Sequence, residues 1–256
     1  MSENFKISNK CGEKLFGIMH KAVSPTKQNS KQLVIVCHGR LTNKDMYFIP
    51  ELCEQIAANG FNAFRFDFAG NGESQGKFEE STVTKAIEDI KAVVDNFTEN
   101  GFEIFCLIGH SLGAVEVLLY QAKHGSASKL VSIGATVNQA EQTLAKFSEK
   151  EKKELDKNGF FTITKYGKKF NVSRKYFYDR LNYGDIKNKI KDIKVPVLII
   201  HGTIDTDVDV RNAKLLSGTL TKSKLCLIVG AGHFFEQKNH EQELIGTIIG
   251  WLKNKK

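Results

Sequence analysis

Ser111 stands in Gly109-His110-Ser111-Leu112-Gly113, a G-x-S-x-G pentapeptide that follows the apolar run FEIFCLIGH and opens a helical stripe. A strand that turns this sharply into a helix strains the backbone of the residue at the bend. Glycines two residues to either side let the neighbouring elements pass closely. The bend is expected to present the hydroxyl at a helix N-terminus, with the backbone N–H of Leu112 facing a developing oxyanion. The chemistry that suits such a residue is nucleophilic attack on a carbonyl carbon.

A serine hydroxyl needs a base near neutral pH, and an imidazole base needs a carboxylate to hold its tautomer. Two later stretches supply candidates: HGTIDTDVD after VPVLII, and GAGHFFEQ after KLCLIV. Asp205 lies 94 residues beyond Ser111, and His233 another 28 beyond that. Asp207 and Asp209 compete with Asp205 and read equally well as solvated loop or helix-cap residues; Asp205 is preferred because it comes first after the strand. His233 is flanked by a loop rich in small residues that frees its side chain, whereas His110 and His201 sit at strand ends and read as structural. His20, His124 and His240 have no partner pattern. A second oxyanion donor is expected from CHGRLTNKD, where Gly39 lets the chain turn inward and aims the N–H of Arg40, with His38 bracing the loop.

These residues need a frame. Apolar runs recur along the chain: LFGIMH, LVIVCHG, FNAFRFDF, FEIFCLIGH, KLVSIGA, VPVLIIHG and KLCLIVG, several of them apolar almost throughout. That is the pattern of strands covered on both faces in a parallel sheet. Between them, residues 84–97 carry Ala86, Ile87, Ile90, Val93, Val94 and Phe97 along one helical face. Similar stripes run through Val115, Leu118, Leu119 and Ala122, and through Leu244, Ile248 and Leu252. Alternating strands and helices predict an α/β fold.

The rhythm breaks over 137–190, where charged helix-like sequence gives way to an aromatic-rich stretch. The expected division is a core of 1–136 and 191–256 with an insertion at 137–190. Residues 146–191 hold 14 Lys/Arg against 6 Asp/Glu, which accounts for the whole net charge of +8. Basic residues interleaved with aromatics can mark a nucleic-acid surface, but a lysine-rich solvated face is the commoner cause and no RNA-binding motif accompanies it. A positive field favouring anionic substrates or an anionic membrane surface is the milder consequence.

With 41% apolar residues among 256, the chain can bury one sizeable core. No run is long enough for a membrane span and the first ten residues lack an apolar signal region, so a cytoplasmic protein is expected. Five cysteines without C-x-x-C spacing read as buried thiols, with neither a disulfide framework nor a metal site.

The ordered motifs together resemble the α/β-hydrolases over nearly the whole chain: HGRLTNKD, FRFDFAGNGESQGKFEESTVTKAIEDI, GHSLG, PVLIIHGTIDTDV and GAGHFF. Within that superfamily the chain is similar to bacterial cinnamoyl and feruloyl esterase-like carboxylesterases and to S33-type serine hydrolases. The resemblance implies a mostly parallel eight-stranded sheet, an inserted cap over 137–190, and no cofactor or metal. It implies Ser111, Asp205 and His233 as a triad, with the amides of Arg40 and Leu112 as the oxyanion hole. Relatives often carry an aromatic residue at position 40, where arginine would bring a cation to the pocket mouth. Eight aromatic residues, Phe160, Phe161, Tyr166, Phe170, Tyr176, Phe177, Tyr178 and Tyr183, could wall the substrate site or simply seat the cap. The expected activity is hydrolysis of small carboxylic esters through an acyl-enzyme. A thioesterase, a monoacylglycerol lipase, an acyltransferase or a small-peptide hydrolase could use the same residues, and a non-enzymatic binding protein has no need of all three. The expected partner is a small-molecule ester, with no nucleic acid; a homo-oligomer is compatible with the sequence.

Overall fold

The computed structural model describes residues 2–27 and 29–254. The chain opens with β1 (Ser2–Ser8), β2 (Lys14–His20) and β3 (Gln32–Cys37), followed by α1 (Ile49–Ala58) and β4 (Asn62–Phe66). Next come α2 (Val83–Glu99), β5 (Glu103–His110), α3 (Leu112–His124) and β6 (Lys129–Ile133). Beyond residue 190, β9 (Val197–Gly202), α8 (Arg211–Thr219), β10 (Ser223–Ile228) and α9 (Lys238–Lys253) follow. The eight-stranded sheet has the order β1-β2-β4-β3-β5-β6-β9-β10, antiparallel at β1 and β2 and parallel thereafter. This is the α/β-hydrolase fold.

Strand burial follows sheet position. Every residue of β3, β4, β6 and β9 is buried, as both-face coverage by helices requires. One face packs α2, α3 and α8 and the other packs α1 and α9, so the sheet separates two apolar cores. The stripe of α2 faces the sheet with Ala86, Ile87, Ile90, Val93, Val94 and Phe97 buried. In contrast, α3 is buried on all sides from Gly113 to Gln121, while Ala122 is exposed, so its apolar face is not the narrow stripe that the sequence suggested. The cysteines also differ from expectation: Cys37, Cys53 and Cys106 are buried thiols, but Cys11 is exposed and Cys226 half-buried.

Between β6 and β9 the chain forms α4 (Gln139–Lys146), α5 (Glu149–Asn158), the hairpin β7 (Phe160–Lys165) and β8 (Lys168–Ser173), α6 (Arg174–Tyr183) and α7 (Lys187–Ile190). Ser148 and Glu151 close a reciprocal capping box that starts α5. The hairpin turns on Tyr166 and Gly167, both with positive φ, at 51° and 70°, the pairing that a two-residue turn of this hand requires. The two ends of the segment are bonded to each other: Gln139 N–H donates to Gly184 O at 2.8 Å, and Ile186 N–H to Val137 O at 2.9 Å.

The loop after β4 is pinned from two sides. Buried Asp67 accepts from Lys44 N–H at 2.7 Å, Lys44 Nζ at 2.9 Å and Glu73 N–H at 2.9 Å. Asp89, on α2, accepts from Ala69 N–H at 2.9 Å and from Asn9 at 2.8 Å. Burial raises the Asp89 carboxyl to about 6, against the hydrogen bonds that lower it. The native state therefore binds more protons than the unfolded chain between about pH 4 and 6, and stability falls as pH rises through that window, by about 3 kcal/mol at most. Asp89→Asn is expected to flatten this slope, read as the urea midpoint at pH 5 against pH 7.5; an unchanged slope assigns it to another group.

Candidate active site

Ser111 has φ 56° and ψ −118° and caps α3 directly after β5. Such angles are costly for a residue with a Cβ and persist only where the surroundings impose them. The two flanking glycines show why: a Cβ on Gly109 would lie 2.3 Å from Gly113 O, and one on Gly113 would lie 2.3 Å from His38 O. Strand β5, helix α3 and the loop after β3 meet here at backbone distance.

His233 Nε2 lies 2.9 Å from Ser111 Oγ, and His233 Nδ1 lies 2.6 Å from Asp205 Oδ2. Because a carboxylate faces Nδ1, that nitrogen carries the proton and Nε2 is left to accept from the serine hydroxyl. The Asp205 side chain is buried, and its Oδ1 accepts from the N–H groups of Asp207 at 2.9 Å and Val208 at 2.8 Å. Burial pushes its carboxyl up, but hydrogen bonds from His201 and His233 overcome this and hold it well below the ordinary carboxylate range. Asp207 and Asp209 are engaged elsewhere, with Lys146 at 2.9 Å and Arg211 at 2.8 Å.

Four further side chains complete the frame. His201 Nε2 faces both Asp205 Oδ2 at 3.1 Å and Val208 O at 2.9 Å, so it donates and fixes the carboxylate from behind. A histidine at a strand end reads as structural from sequence; its position four residues before Asp205, at the end of β9, is the signal for this role. His110 Nε2 donates to His233 O at 2.9 Å, and burial lowers this imidazole to about 3, which keeps it neutral. His38 Nδ1 and Thr42 Oγ1 both donate to Gly39 O, at 2.8 and 2.9 Å. That carbonyl belongs to the same planar peptide as the Arg40 N–H, so fixing the oxygen fixes where the amide points.

Neither the Arg40 nor the Leu112 N–H has a hydrogen-bond acceptor among the described residues. Both residues line a narrow cleft, open to solvent, with Ser111 and His233 on its wall. An arrangement of this kind can pass a proton from Ser111 to His233 while two amides wait for a negative oxygen.

The lining is polar and cationic, with Arg40, Lys146, Lys165 and Arg180 against Asp207; its larger apolar members are Leu112, Val208 and Phe234. None of the eight aromatic residues of 160–183 lines it. Phe161, Tyr176 and Phe177 pack with Phe147, Leu155 and Val172 into a small core of their own between β6 and β9. Phe170 packs on Phe78, Tyr183 meets Thr84, and Phe160, Tyr166 and Tyr178 are exposed. Of the eight, Tyr176 reaches a small adjoining void beside Arg40. A segment this short must spend its large rings on its own cohesion. Among the described residues no group of three or more His, Cys, Asp or Glu is arranged to hold a metal.

The profile of the serine aminopeptidase family, S33, matches residues 28–159. The chain belongs to that family. It is 26% identical over 208 residues to the palmitoyl-protein thioesterase ABHD10, mitochondrial, of Homo sapiens, covering 78% of this chain and 65% of that protein. The chain thus spans about 65% of the length of these ABHD10 proteins. It is also 26% identical over 257 residues to the AB hydrolase superfamily protein YisY of Bacillus subtilis (strain 168), covering 86% of this chain and 91% of that one. Among solved structures, Est1E from Butyrivibrio proteoclasticus with ferulic acid bound superposes with a TM-score of 0.80 over 97% of each chain at 23% identity, a likeness of fold. No helix among the described residues is long and apolar enough to cross a membrane.

Proposed function

We propose that this protein is a serine hydrolase that cleaves carboxylic esters through an acyl-enzyme. The observation that carries the reading is the continuous line from Ser111 through His233 to Asp205, at 2.9 and 2.6 Å, opening on a cleft with two unbonded amides. Ser111 Oγ attacks the ester carbonyl carbon as its proton passes to His233 Nε2, and the carbonyl oxygen, now negative, is held by the N–H groups of Arg40 and Leu112. The C–O bond to the alcohol breaks, the alcohol oxygen takes the proton from His233, and an acyl group stays on Ser111. Water then attacks the acyl carbon, gives its proton to His233, and Ser111 is released when that proton returns. Asp205 holds the tautomer and the charge of the imidazolium throughout. Residues 137–190 act as the lid of the cleft on the core of 1–136 and 191–256, since α4 and α6 carry Gln139, Gln142, Lys146 and Arg180 into its wall.

A second reading, thioester hydrolysis, is favoured by the name of the ABHD10 relatives. The same residues would serve it, and the polar lining suits short polar acyl groups better than a long hydrocarbon chain. A fluorophosphonate probe tests the shared mechanism: it should label Ser111 and no other residue, by peptide mass spectrometry. A panel of p-nitrophenyl esters, matched thioesters and aminoacyl amides then ranks the chemistries. Absence of label with no turnover of any panel member would remove the proposal.

A further inference from the structure

Arg180, on α6, is buried at 4% exposure and lines the cleft beside Ser111. Its guanidinium meets only neutral partners: Thr143 Oγ1 at 3.1 Å, Gln139 Oε1 at 3.3 Å and the Tyr176 hydroxyl at 3.4 Å. Gln139 is fully buried, and with its oxygen given to Arg180 its Nε2 has no partner among the described residues. Arg40 lies over the Phe147 ring at 5.6 Å, and its Nη1 is buried and likewise without a partner. No carboxylate comes within ion-pair distance of Arg40 or Arg180 among the described residues; of the cations in the wall, Lys146 has one, in Asp207. Glu116, on α3, faces the adjoining void with Arg40; burial pushes its carboxyl well above the ordinary range, against the pull of the Arg180 charge, and it makes no ion pair with either guanidinium.

Buried charges are ordinarily paired, and buried amide N–H groups ordinarily bonded. Two guanidinium groups and one carboxamide, gathered on one wall with donors left over, form the complement of an oxyanion with several lone pairs. The planar fork of arginine suits the two coplanar oxygens of a carboxylate. We infer that the cleft recognises an ester whose acyl or alcohol part carries a carboxylate, held by Arg40, Arg180 and Gln139. This deepens the hydrolase reading and rests on Ser111 as its nucleophile. The recognising elements are α4, α6 and the loop after β3, with the Phe147 ring and the Tyr176 hydroxyl positioning Arg40 and Arg180.

The test compares mono-p-nitrophenyl esters of adipic, pimelic and suberic acids with their ω-carboxamide counterparts, which match them in length and shape but carry no charge. A second series puts the charge on the leaving group, as acetyl esters of 3-hydroxybenzoate and 3-hydroxybenzamide. In one of the two series kcat/KM should favour the carboxylate by at least about tenfold, the scale of a charge-assisted hydrogen bond. Arg180→Met should bring that ratio close to one, and Arg180→Lys should restore part of it. Because Arg180 is buried, the wild-type protein supplies an independent readout: monomethyl adipate should slow fluorophosphonate labelling of Ser111 more than methyl adipamate does. Equal rates for charged and neutral members in both series, with labelling intact and no selective protection, overturn the carboxylate site and leave the triad standing. No label and no turnover of either kind overturn both.

Discussion

Ser111→Ala is expected to lower kcat for p-nitrophenyl esters by roughly 10⁶-fold and to abolish fluorophosphonate labelling, the scale seen when the nucleophile of a serine hydrolase is removed. The reason is chemical: with Oγ gone, no covalent acyl intermediate forms, and the cleft retains only its amides and its binding contacts. The fold should survive, because the hydroxyl makes one hydrogen bond, to His233 at 2.9 Å, whose net worth is about 1 kcal/mol. Its backbone angles offer an internal control. At φ 56° an alanine is as strained as the serine, whereas glycine is at ease. Ser111→Gly should be equally inactive and about 1 kcal/mol more stable than Ser111→Ala, measured by urea unfolding. Activity retained in either variant would remove Ser111 from the reaction.

Asp205→Asn is expected to lower kcat by about 10⁴-fold, with the fold intact. The direction follows from which side of the carboxylate is already committed. Oδ1 accepts from two backbone N–H groups, so an asparagine must keep its oxygen there and turn its NH₂ toward His233 and His201. Facing a donor, His233 Nδ1 becomes the acceptor and the proton moves to Nε2, where it points at Ser111 and cannot take the serine proton. Asp209→Asn is the matched control: its carboxylate is paired with Arg211 on the surface and should leave turnover unchanged. A large loss at Asp209 with none at Asp205 would reassign the acid.

The framework of the site was legible in the sequence because sheet and elbow impose strong local rules. Continuous apolar runs marked β3, β5 and β9, and the glycine pair marked the turn at Ser111, since those signals reflect burial and steric closeness. Strand β1 gave little signal: at the sheet edge only Ile7 of its residues is buried, so it lacks the apolar continuity of the interior strands. The hairpin of β7 and β8 also escaped, although Tyr166-Gly167 and the alternation of Phe161 and Ile163 with polar residues carried the pattern. The rings there suit a wall for substrate by composition, but composition alone does not say which way a side chain points. Arg180 and Gln139 were invisible as a pair, because 41 residues separate them and only the packing of α4 against α6 joins them.

The adjoining ends of the segment between β6 and β9 bear on how such a protein can diversify. Val137 and Ile186 are joined by a backbone hydrogen bond, so everything between them leaves the sheet and returns through one narrow neck. Lengthening or replacing a loop that is already closed at its base changes its closure entropy only slowly. The neck therefore makes the segment an interchangeable cassette: a lineage could trade one wall of the cleft for another while the machinery beneath keeps its register.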